Sequence, residues 1–131
     1  MAGSDDSEYP HPTLVNAYHP ALNATNVNAL IPLTLDVDNV QYSPWATLFR
    51  NTAKVYMVLN HIDPKVTKPK DMDDDLWDRL DAIVLQWLYG TILKDLLLKV
   101  LDDNTSAMDI WNRLCKIFQD NKGTRVVLLE N

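Results

Sequence analysis

Cysteine and glycine are scarce in this 131-residue sequence, and each shortage excludes a class of function. The single cysteine, Cys115, excludes an internal disulfide and a zinc site built from several cysteines. It also indicates a reducing setting, so we expect a cytoplasmic protein that is not secreted. With only three glycines, the chain has no phosphate-binding loop and no dinucleotide-binding turn. Metalloprotease and aspartic-protease motifs are also absent. We therefore predict no enzyme, no cofactor and no small-molecule substrate.

Basic residues are few and come late in the chain. No lysine or arginine precedes Arg50, and the net charge is −6. That sign disfavours direct nucleic-acid binding, which depends on cations that replace phosphate counterions. No apolar run approaches the ~20 residues needed to span a bilayer, and the acidic N-terminus does not resemble a signal peptide. We expect no membrane partner.

The composition that remains suits one small domain. At 47% hydrophobic residues the chain can bury a modest core. Residues 1–26 are rich in Asp, Ser, Pro, His and Asn, which predicts a disordered N-terminal tail. Residues 27–131 form the predicted domain. In it, Leu33, Leu35 and Val37 alternate with polar residues, which indicates a short extended segment.

The stretch NVQYSPWATLF, residues 39–49, marks the first long helix. Ser43 is a good N-cap and Pro44 suits the first helical position, so we predict that the helix begins at Pro44. Tyr42 would pack on its first turn. The predicted buried face follows helical spacing and comprises Trp45, Leu48, Phe49, Thr52, Val55, Tyr56 and Leu59.

The rest of the chain alternates helical patterns with breaks. A proline-containing linker precedes a second helix over about 75–89, for which Gly90 is a natural C-terminal cap. The apolar segment 91–101 predicts a short third helix. Ser106 and Asp109 resemble a capping box that opens a fourth helix, and residues 120–123 would separate it from a fifth. The fold class is thus all-α: a small bundle of about five helices, preceded by an extended segment and a disordered N-terminus.

Aromatic and large aliphatic residues dominate the predicted stripes. We predict a core built from Trp45, Phe49, Leu80, Trp87, Trp111 and Phe118. Stacking of the tryptophans on nucleic-acid bases is the alternative. It is disfavoured because Trp45, Trp87 and Trp111 lie on apolar stripes without interleaved basic residues.

Three groups of reactive side chains have ordinary structural explanations. The aspartates between Asp71 and Asp81 match the first positions of a calcium loop, but Leu76 replaces the required glycine, so a charged helix N-terminus is the favoured interpretation. His11, His19 and His61 lie in polar or proline-flanked segments and are predicted to be solvated. Cys115 falls on an apolar stripe, which predicts a buried, unreactive thiol.

The third helix has more apolar surface than one buried stripe requires. Leu93, Leu97, Leu98 and Leu101 would then form an exposed interface. The alternative is that this helix is central and fully buried, and the sequence leaves both open.

Three motifs in order closely resemble the N-terminal Gag region of plant copia-type LTR retrotransposon polyproteins. The first is the segment around Asn39, Tyr42 and Trp45, and the second is LWDRLDAIVLQWLYGTI, which contains Leu80, Trp87 and Gly90. The third is AMDIWNRLCKIFQDNKGTRVVLLEN, whose matching positions include Trp111, Leu114, Phe118 and Arg125. The resemblance covers about residues 27–131.

The resemblance implies a capsid-like structural protein that self-associates or co-assembles with related Gag chains in particles. Its contact with RNA would be indirect, through longer Gag partners, because the chain has no zinc knuckle and no basic tail. The sequence ends inside the fifth predicted helix, so we expect a truncated or degenerate copy. The alternative is a co-opted protein-binding or inhibitory module that acts on related Gag particles.

Overall fold

The computed structural model describes residues 19–24, 26–38 and 41–130, with side chains through residue 120. Within this part the protein is helical, and the backbone pairing outside helices is a single isolated β-bridge. The five α-helices are α1 (Val27–Leu30), α2 (Tyr42–Val55), α3 (Asp74–Gly90), α4 (Lys94–Val100) and α5 (Ala107–Glu130). The predicted all-α class is confirmed. No described helix combines the length and the apolar character needed to cross a bilayer.

The folded part begins earlier than the predicted boundary at residue 27. Residues 1–18 of the predicted tail lie outside the described residues. Pro20–Asn23, however, form a 3-10 helix whose N-terminus is capped by the side chain of His19, and Ala21 is buried. Pro20 suits this first turn because its missing N–H has no helical partner there. The prediction of a tail through residue 26 is therefore wrong for this turn.

The segment after α1 is extended, as predicted, and it crosses the turn between α3 and α4. The N–H of Leu35 donates to the carbonyl of Thr91 at 2.8 Å, and the N–H of Leu93 donates to the carbonyl of Leu35 at 2.9 Å. These bonds form the parallel bridge between Leu35 and Ile92. Leu35 is fully buried as a result, and the segment is fastened to the bundle.

Helix α2 begins at Tyr42, two residues before the predicted start at Pro44. The carbonyl of Gln41 accepts the Trp45 N–H at 3.0 Å, so Gln41 and not Ser43 is the N-cap. Pro44 still lies in the first turn, where its lack of an N–H costs no helical bond. The helix buries Trp45, Ala46, Phe49, Thr52 and Ala53. Val55 is 65% exposed, so its predicted place on the buried face is wrong.

A left-handed residue ends α2. Met57 has a φ of 62°, and it is the one non-glycine residue with a positive φ among the described residues. The Val58 N–H donates to the Ala53 carbonyl at 2.8 Å and the Met57 N–H to the Lys54 carbonyl at 3.1 Å. This is the Schellman pattern, in which glycine is the usual left-handed residue.

Helix α3 spans Asp74–Gly90, and Asp73 caps its N-terminus by accepting from the Asp75 N–H. Its C-terminus differs from the prediction. Gly90 is the last helical residue and has no positive φ, so it is not a left-handed cap. Thr91 is the C-cap instead, and its hydroxyl donates to the Trp87 carbonyl at 2.8 Å.

Helix α5 is continuous over the predicted break at residues 120–123. Ser106 caps it as predicted: its hydroxyl oxygen accepts the Asp109 N–H at 3.1 Å. The helix then runs from Ala107 to Glu130 without interruption, so the separate fifth helix is wrong. A single glycine inside a helix costs only about 1 kcal/mol relative to alanine, too little for Gly123 to end it.

The core lies between α2, α3 and α5. All six predicted core residues are buried: Trp45, Phe49, Leu80, Trp87, Trp111 and Phe118. Leu114 and Ile110 of α5 join them, as do Ile31 and Leu35 of the extended segment. The periodic stripes thus identify the packed faces of the three long helices.

Candidate functional site

The aromatic residues of the three sequence motifs are assembled into one cluster. Trp45 lies 5.4 Å from Trp111 and 5.3 Å from Phe49, measured between ring centroids. Tyr42 stacks on Phe118 at 5.2 Å. Rings at such separations attract each other through offset-stacked and tilted arrangements. The Tyr–Trp pair of the opening motif therefore joins the start of α2 to α5.

The cluster is structural and carries no exposed chemistry. Leu80, Trp87 and Leu114 are buried around it, whereas Gly90 is exposed. The side chain of Arg125 lies outside the described residues. Burial of Trp45 and Trp111 leaves no ring face for base stacking.

Cys115 is half-buried, less than predicted. Its thiol faces the hydroxyl of Tyr42. Burial is the main cause that raises the pKa of this hydroxyl, and the hydrogen bond with Cys115 is the second. The Tyr42 hydroxyl thus remains uncharged at neutral pH in a mostly apolar contact between α2 and α5.

The predicted interface leucines divide between surface and core. Leu98 is 64% exposed, and Leu93 and Leu101 are also exposed, whereas Leu97 is half-buried. The opposite side of the helix buries Leu96 and Val100. Helix α4 is therefore a peripheral helix with one packed face, and the fully buried alternative is wrong. We call Leu93, Leu98 and Leu101 the α4 leucine patch.

His61 is the main residue whose structural role the sequence does not predict. It was predicted to be solvated, yet it is 1% exposed. Its ring stacks on Trp77 at 3.7 Å between centroids, and its Nδ1 lies 3.0 Å from Asp81 Oδ1. The other carboxylate oxygen of Asp81 accepts the Ala107 N–H at 3.1 Å. Asp81 thus joins the turn after α2, the middle of α3 and the first turn of α5.

Asp81 forms part of the wall of a surface cleft of about 870 Å³. The cleft lies between α3 and the turn that leads into α5. It is lined by His61, Trp77, Asp78, Asp81, Ala82, Leu85, Asp103, Asn104, Thr105, Ser106 and Met108. A clue was present in the sequence, since Asp78 and Asp81 share one face of a helix. Only the fold adds His61 and the turn at Asp103.

The remaining aspartates of the acidic run behave as helix N-terminal charges. Asp73 caps α3, and Asp74 pairs with Lys68. Lys68 lowers the pKa of Asp74 through that side-chain hydrogen bond. Among the described residues no group of three or more potential ligands could hold a metal ion.

Comparisons with models of protein families, with curated proteins and with solved structures find no match for this chain.

Proposed function

We propose that this chain is a structural interaction protein: a Gag capsid-like module that associates with copies of itself or with related Gag chains. The sequence motifs that resemble plant copia-type Gag support the class. The observation that supports the proposal most is the exposure of the leucines of the α4 leucine patch, above all Leu98 at 64%, since exposed apolar surface can mark a partner site. The single cysteine supports a cytoplasmic site of action.

A second copy of the chain is the occupant that the patch fits best. Lys94 lies at one end of the patch and Asp102 at the other, each four residues from Leu98. An antiparallel two-fold contact centred on Leu98 would bring Lys94 of one copy near Asp102 of the other. Asp102 already pairs with Arg113 of its own chain at 3.3 Å, so Lys94 of the second copy would join that pair. The contact would then be self-complementary, which is the requirement of a symmetric dimer. RNA would be reached through longer Gag partners, consistent with the net charge of −6.

Light scattering during size-exclusion chromatography, across a range of concentrations, tests the proposal. We expect the mass of the wild type to rise above the 15.0 kDa of one chain as concentration increases. Leu98→Lys should remain monomeric with an unchanged circular dichroism spectrum, because it places a charge at the centre of the contact.

Val55→Lys is the matched control, since Val55 is as exposed as Leu98 but belongs to α2. It should associate like the wild type. The proposal fails if the wild type stays monomeric at high concentration and does not bind a longer Gag chain, or if Leu98→Lys unfolds.

A further inference from the structure

The cleft beside His61 has a consistent electrostatic character. Three aspartates line it, Asp78, Asp81 and Asp103, and none of the described lining residues is a lysine or arginine. Asp78 and Asp103 are exposed, whereas the side chain of Asp81 is only 18% exposed. Low-dielectric walls around like charges concentrate the potential, so the cleft attracts cations.

His61 provides an independent indication of a ligand. Its side chain is fully buried, it lines the cleft, and its Nε2 has no hydrogen-bond partner. A carboxylate only accepts hydrogen bonds, so Nδ1 donates to Asp81, and Nε2 is the ring nitrogen left without a partner. A buried polar atom without a partner costs free energy, which a hydrogen-bonding group of a ligand would recover.

The rest of the lining is mixed: Asn104, Thr105 and Ser106 are polar, and the other walls are apolar. Trp77, Leu85 and Met108 supply the apolar surface. Trp77 already attracts a cation, because Nζ of Lys68 lies 5.6 Å from its ring centroid. Lys68 pairs with Asp74 and is not among the residues that line the cleft. Its position shows that the indole can support a neighbouring cation.

We propose that this cleft binds a cationic nitrogen group on an apolar stem, either a guanidinium or an alkylammonium. Asp78 and Asp103 contribute charge at the rim, and Asp81, held by His61, contributes a carboxylate at the wall. The methylene stem packs on Trp77 and Met108. This site shares no residue with the α4 leucine patch, so it stands or falls independently of self-association.

Two sources could supply such a group: a basic segment of a protein partner or a free polyamine. N-acetyl-arginine amide and spermidine represent them as probes, and N-acetyl-glutamate amide is the anionic control. Each is titrated into ¹⁵N-labelled protein, and the shifts of the Trp77 indole and of the Ala82 and Thr105 amides are followed. We expect saturable shifts at these groups with at least one cation and none with the anion.

Two double variants test the role of the rim charges. Asp78→Asn with Asp103→Asn should weaken binding about tenfold, as expected for the loss of two nearby surface charges. Asp38→Asn with Asp95→Asn removes the same charge from exposed positions outside the cleft, and should leave binding within about twofold. All four positions are exposed, so both variants should fold, which circular dichroism checks.

The outcomes separate clearly. Binding of the arginine amide alone supports a site for a protein segment, and binding of spermidine as well supports a polycation site. The proposal is overturned if neither cation gives a saturable shift, if the anion binds equally, or if both double variants weaken binding to the same extent. The last result would mean diffuse charge attraction without a site.

Discussion

At the scale of single residues, Trp111 connects the helices that form the core. It contacts Trp45 and Phe49 at centroid distances of 5.4 and 5.3 Å, and it is buried. We expect Trp111→Ala to lower the free energy of unfolding by about 3–5 kcal/mol, because it removes a large side chain and leaves a cavity. Urea denaturation measures this change. Leu98→Ala, at an exposed position, is the control and should change stability little; an unmoved midpoint for Trp111→Ala would contradict the packing.

Asp81 is the second residue with a large expected effect. It accepts hydrogen bonds from His61 and from the Ala107 N–H, and both partners lose a buried acceptor if it is removed. Asp81→Ala should therefore cost about 1–3 kcal/mol. Asp81→Asn keeps one carbonyl acceptor and should fall between this value and the wild type.

Asp78→Ala is the matched control for Asp81, one turn earlier on the same helix but exposed. Its effect on the urea midpoint should stay within about 0.5 kcal/mol. Equal effects at the two positions would show that the bonds of Asp81 contribute no net stability.

At the scale of helices, the left-handed turn and the glycine occupy different helix ends. Met57 adopts φ 62° at the end of α2, although its side chain is 65% exposed and has little packing to lose. Gly90 adopts an ordinary helical φ, and a Cβ built there meets no atom within 4 Å. Glycine would therefore suit the backbone at residue 57 better than methionine does, and it is dispensable at residue 90.

Exchanging these residue types should stabilise the protein at both ends. Met57→Gly relieves a left-handed strain of about 1–2 kcal/mol, from which the greater entropy of the unfolded chain subtracts about 0.5–1 kcal/mol. Gly90→Ala reduces that entropy and should gain about 0.5–1 kcal/mol. Thermal unfolding of each single variant measures the gain. A lower melting temperature for Met57→Gly would mean that its side chain makes contacts that outweigh the strain.

At the scale of the whole molecule, surface aspartates couple stability to pH. The pKa of Asp63 is lowered below 3.8. The main cause is the hydrogen bond from the backbone N–H of Lys65, and the second is the Arg50 guanidinium at 3.0 Å. Lys68 likewise lowers the pKa of Asp74. A carboxyl whose folded pKa is lowered stabilises the fold above its unfolded pKa. That contribution is lost as pH falls through the folded pKa.

We expect the urea midpoint to decrease between pH 5 and pH 3. Asp63→Asn with Asp74→Asn should flatten this decrease, because the double variant has already lost the two contributions. Asp38→Asn with Asp95→Asn removes the same net charge and serves as the control. An equally steep decrease in Asp63→Asn with Asp74→Asn would show that other groups govern the acid response.

What the sequence determined by itself is the helical class, the three aromatic stripes, the acidic N-terminus of α3 and the cap at Ser106. These depend on spacings of three or four residues, which a helix imposes locally. Its errors at Pro44, Gly90 and residues 120–123 are errors of helix ends, where weak local preferences yield to packing.

Only the tertiary structure decided which surfaces are exposed and which polar groups meet. His61 lies 20 residues from Asp81, and Asp81 lies 26 residues from Ala107, so no local pattern predicts their contact. The exposure of Leu98 likewise depends on which side of α4 meets the rest of the bundle. Burial of a histidine is stable only when the fold supplies its acceptor, and that acceptor comes from a distant part of the chain.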